Sequence, residues 1–142
     1  ILYGAMSAYN PNWDAGFLYS RISLIWGVLH TFIAFIILCS LGFFYRKQLH
    51  LHKRFMLMAT LTMIPASITR IAFIGVIPID GTLLTLLTTY ILWLTPVVID
   101  RLRFNAVHSV FKWGVPIYLV TQIFCIGFMP TTGLGRAIAF PF

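Results

Sequence analysis

The chain has 142 residues, 60% of them hydrophobic and only 9% charged, with a mean hydropathy of +0.93 and a formal net charge of +7. Ordinary soluble domains carry roughly 25% charged residues, so this composition excludes a water-soluble domain, whose surface it could not cover. The basic residues flank apolar stretches, which points the positive charge at a membrane surface rather than at nucleic acid.

The chain opens on Ile1, and residues 1–8 lack the charged start of a signal peptide. They read as the last turns of an earlier helix or the start of a mature chain, so further helices are expected upstream. Four apolar stretches follow, at 22–45, 55–77, 82–99 and 113–129. Each is near the ~20 residues that a helix needs to cross a bilayer. The expected fold is an all-α polytopic membrane protein: four transmembrane helices in an antiparallel bundle, forming a single membrane domain over 1–142.

The first stretch has Trp13, Tyr19 and Trp26 near one end and Phe43, Phe44 and Tyr45 at the other. Aromatic rings with a polar edge belong at the two membrane interfaces. Phe32, Phe35 and Phe43 fall near one helical face. His30 lies roughly 12 Å inside the stretch, a depth at which ionisable residues usually face the bundle interior. It reads as a haem ligand, a proton relay, a quinone contact, or a neutral imidazole bonded to a threonine or carbonyl of another helix. The next connection, 46–54, carries Arg46, Lys47, Lys53 and Arg54 with His50 and His52 and no acid.

The second stretch contains Pro65 and, in its outer half, Arg70. Buried neighbours can satisfy the carbonyl that an intrahelical proline frees. The Arg70 guanidinium can snorkel to the interface, pair with Asp80 or Asp14, or hold an anion or a haem propionate. Together His30 and Arg70 are the candidate cofactor-binding residues. Thr82, Thr85 and Thr89 share one face of the third stretch, which also holds Pro96. Packing is the preferred reading for this stripe, because no ionisable group joins it.

The loop 100–112 carries Asp100, Arg101, Arg103, His108 and Lys112. His50, His52 and His108 are a candidate metal set, although the surrounding cations disfavour bringing in another. The preferred role for this side is contact with the membrane surface. Arg46, Lys47, Lys53, Arg54, Arg101, Arg103 and Lys112 are the expected interface cations, facing anionic headgroups. Pro116 is expected in the first turn of the fourth helix, where proline costs little. Cys39 and Cys125 differ in depth and are expected to remain unbridged.

Seven cations flank the two basic loops, against Arg21 and Arg136 on the opposite side. The positive-inside rule then places those loops in the cytoplasm, in a bacterial inner membrane.

His52-Lys53-Arg54-Phe55-Met56 opening an apolar helix, with Asp100, His108 and Trp113-Gly114 later, resembles an uncharacterised family of bacterial multi-span membrane proteins. The resemblance covers residues 46–114. It implies additional helices upstream and carries over no catalytic residue. No G-x-S-x-G, H-E-x-x-H, C-x-x-C or P-loop occurs, and no lysine or deep carboxylate lies within a stretch. An enzyme is therefore disfavoured. The expected function is a non-catalytic accessory or assembly subunit of a larger membrane complex, in contact with lipids and other membrane subunits. The alternative is a haem- or metal-binding redox protein using His30, His52 and His108; haem is not favoured, because no second histidine lies at the depth of His30.

Overall fold

A computed structural model describes residues 14–72 and 81–140, with side chains described except at 66, 69–72 and 81–83. Most of the described residues are helical and none of them lies in a strand. The helices are α1 (Ala15–Phe44), α2 (Leu49–Ala72), α3 (Gly81–Phe104), α4 (Ser109–Ile123) and α5 (Gly133–Ala139). A π-helical turn, Phe124–Phe128, and a 3-10 turn, Met129–Thr131, join the last two. Among the described residues three helical runs are long and apolar enough to cross a membrane: Ala15–Phe44, Leu84–Phe104 and Ser109–Thr131. α2 is not one of them. Its first two turns hold His50, His52, Lys53 and Arg54, and the stretch expected to reach 77 continues beyond the described residues.

The chain divides into two compact units, one formed by residues up to 31 and from 120 onward, the other by residues 32–119. In the first unit Leu18, Ile22 and Ile25 lie on one face of α1 and pack with Trp26, Ala139 and Phe140. In the second the core is Met58, Leu61, Trp93, Phe111, Val115 and Tyr118. Residues 111, 115 and 118 have the i, i+4, i+7 spacing that puts one helical stripe inside. Trp93 is fully buried and stacks on Tyr118 with centroids 3.8 Å apart and planes 8° from parallel. Gly114 lets α4 approach the side chain of Met58, where a Cβ would lie 2.5 Å from Cε.

Several helix ends have identifiable causes. α3 stops at Phe104 because Asn105 adopts φ 52°, the left-handed conformation that Asn tolerates better than most residues. α4 starts at Ser109, four residues before Trp113, because His108 accepts the N–H of Val110 at Nδ1 over 3.3 Å. Pro116 therefore lies inside the helix, not in the first turn expected from the sequence, and leaves the Lys112 carbonyl without its usual donor.

The π turn precedes Pro130. A proline at 130 offers no N–H to the carbonyl of Ile126, four residues back. Ser23 Oγ supplies that bond at 3.1 Å, and Tyr19 Oη donates to the carbonyl of Gly127 at 3.2 Å. Thr132 Oγ1 then accepts from the Gly135 N–H at 3.0 Å and caps α5.

Candidate functional site

The densest polar cluster among the described residues lies in the 32–119 unit, where α2 begins, α3 ends and α4 begins. Arg54 sits in the second turn of α2 and Asp100 in the last turn and a half of α3. The two helices run in opposite senses, since Leu61, about two turns after Arg54, and Leu92, about two turns before Asp100, line a shared recess of about 190 Å³. That arrangement brings Arg54 and Asp100 to one level.

Asp100 is 7% exposed, so its charge needs compensation. Its Oδ2 accepts the backbone N–H of His108 at 3.2 Å and faces Arg54 Nε at 4.0 Å. The second distance is an ion pair without a hydrogen bond, which agrees with the absence of a hydrogen-bond partner for the buried Arg54 Nε. Arg54 also donates through Nη1 to the carbonyl of His50 at 3.0 Å and lies 5.9 Å from the ring centre of Phe111. The rings of His50 and His108 are 6.0 Å apart and steeply inclined.

His108 Nδ1 must be unprotonated to accept from Val110, which places the neutral ring's proton on Nε2. Its surroundings favour that state. Burial pushes its pKa below the ordinary histidine value, the positive charges of Arg54 and His50 add to this, and Asp100 opposes it. The cluster thus ties three helix ends together around one carboxylate and holds an imidazole in a defined tautomer.

His52 is used elsewhere. Its Nδ1 donates to the carbonyl of Gly42 at 2.8 Å. Gly42 lies two residues before the end of α1, so its carbonyl is among those that a helix end leaves without an intrahelical donor. The histidine set expected from the sequence thus separates into a facing pair, His50 and His108, and a capping residue. Among the described residues no three His, Cys or Asp side chains are grouped to hold a metal ion.

The expected cofactor residues lie apart from this cluster. His30 is nearly buried, and its Nε2 is 2.9 Å from Thr121 Oγ1, so it bonds a threonine of another helix. The side chain of Arg70 and the whole of Asp80 lie outside the described residues, as do Trp13 and the side chain of Thr82. Thr88, Thr89 and Thr95 each donate to the carbonyl four residues back, at 2.7 Å in every case. Cys39 and Cys125 are free. Arg46, Lys47, Lys53, Arg101, Arg103 and Lys112 are exposed, whereas Arg54 turns inward to the cluster. The link between Arg54 and Asp100 is absent from the sequence reading. Its signal was available, since both residues sit at the basic-side ends of successive apolar stretches. Comparison with protein-family models, curated proteins and solved structures finds no match to this chain.

Proposed function

We propose that this chain is a non-catalytic integral membrane protein that acts as an accessory or assembly subunit of a larger membrane complex. The observation that carries this reading is how polar and apolar groups are distributed. His30, Thr62 and Thr89, polar and buried within the helices, join helices or bond their own backbone. Large apolar side chains point outward along the same helices: Phe32, Ile36 and Ile37 on α1, Ile91 and Val98 on α3, Ile117 and Val120 on α4. A surface of that kind requires lipid or other apolar chains around it.

In this reading α2 crosses as well, giving four antiparallel spans in a bacterial inner membrane. The segments 46–54 and 100–112 face the cytoplasm, with anionic headgroups against their cations. Membership of the uncharacterised bacterial multi-span family belongs to the same proposal. Blue-native electrophoresis and mass spectrometry of the chain, extracted in mild detergent, test it directly. Migration in a stable complex with defined partner subunits and a colourless preparation are expected. A visible absorption band lost on His30→Ala would replace this reading with the haem alternative.

A further inference from the structure

We propose that the inner end of α1 holds one anionic phospholipid, its phosphate between Arg46 and Lys47 and the upper part of an acyl chain along Cys39 and Phe43. This inference rests on the reading of the chain as an integral membrane protein. The recess there measures about 620 Å³ and is lined by Cys39, Ser40, Phe43, Phe44, Arg46 and Lys47. Its size is that of a small-molecule site.

Two cations and no carboxylate line it. Among the described residues of the same unit the acid is Asp100, and it faces Arg54 instead. Arg46 is held in place, since its guanidinium carbon lies 4.7 Å from the ring centre of Phe43, one turn back along the chain. That contact draws the charge towards the apolar part of the helix rather than out into water. The guanidinium plane keeps its N–H fork available for two phosphate oxygens. Lys47 adds a flexible second charge, and Ser40, on the turn below, offers a hydroxyl at the depth of the ester groups.

The apolar half of the lining identifies the occupant as a lipid. Phe43 and Phe44 are 66% and 77% exposed. A free anion would neutralise Arg46 and Lys47 but make no contact with these rings. A phospholipid covers both, because it joins an anionic phosphate to hydrocarbon in one molecule.

Arg101 and Arg103 provide a charge-matched comparison. They are also exposed and on the basic side, but Arg101 Nη1 is engaged by the carbonyl of Asn105 at 3.3 Å and neither residue lines this recess. The experiment is native mass spectrometry of the full chain released from nanodiscs of phosphatidylcholine with a minor fraction of phosphatidylglycerol. The chain should retain phosphatidylglycerol selectively. Arg46→Ala with Lys47→Ala should reduce that retention by at least about tenfold, since both charge-assisted contacts to the phosphate are lost. Arg101→Ala with Arg103→Ala, which removes only diffuse headgroup contacts, should reduce it far less, and excess inorganic phosphate should not displace the lipid.

Equal loss in both double variants would mean diffuse attraction to a charged surface and would overturn the site. So would displacement by phosphate or the absence of retained phosphatidylglycerol on the unsubstituted chain. Failure of the underlying reading is separately visible, as release of the chain from membranes by alkaline washing.

Discussion

Asp100 compensates two groups at once. Removing its carboxylate leaves the His108 N–H without its acceptor and the Arg54 charge without its nearest counter-ion. Asp100→Ala should lower stability in detergent by about 1–3 kcal/mol, measured by chemical unfolding followed by helical circular dichroism. Protonation of His108 should act in the same place. Its folded pKa is depressed by burial first and then by Arg54 and His50, so the unfolded chain binds the proton more readily. The stabilisation is therefore complete above about 6.5, the ordinary histidine value, and shrinks as pH falls below it. Thermal melting across pH 5 to 8 should show this slope. His108→Asn keeps a side-chain acceptor at the start of α4 and should flatten it. At this scale the sequence identified which residues were unusual but not their partners. His50, His52 and His108 looked alike as basic-side imidazoles; they diverge because the end of α1 leaves the Gly42 carbonyl open to His52 alone.

Helix positions were legible from apolar run length, and helix ends were not. Hydropathy puts the start of the fourth helix at Trp113, because His108, Ser109 and Lys112 are polar. Capping by His108 starts it at Ser109 instead, and a cap is a matter of geometry that composition does not carry. The end of the same run was hidden for a related reason: the π turn at 124–128 shows only as a proline and a glycine in the sequence. α5 is the element most sensitive to a small change. A Cβ on Gly135 would collide with the backbone carbonyl of Met129, which cannot move aside as a side chain would. The same glycine presents its carbonyl to Trp26 Nε1 at 3.0 Å. Gly135→Ala should cost about 1–3 kcal/mol through overpacking, whereas Gly133→Ala, with open space around it, should be close to neutral. Paired melting curves of the two variants separate the effect of crowding from that of losing a glycine.

For the molecule as a whole, composition alone indicates the solvent. So many large apolar side chains remain outward-facing, among them Ile91 at 64% and Val120 at 65% exposure, that lipid or other apolar chains must supply their contacts. Sidedness is an inference from charge. A single cysteine placed at Gln48, in a background without Cys39 and Cys125, should be labelled by a membrane-impermeant maleimide only from the cytoplasmic face; labelling of intact cells would reverse the orientation. What charge and hydropathy left out was how the chain closes on itself. Nothing in the local sequence around Ser23 reports that its hydroxyl belongs with Ile126, 103 residues away.

That distance sets an order on synthesis. The carbonyls of Ile126 and Gly127 have their donors in Ser23 and Tyr19, 103 and 108 residues earlier in the chain. In the membrane reading α1 must therefore wait, with its serine and tyrosine hydroxyls facing lipid or bonded back to its own carbonyls, until residues 126 and 127 have left the ribosome. During that interval any factor that shelters polar side chains in the membrane has a client, and the segment around Ile126 is the one that releases it.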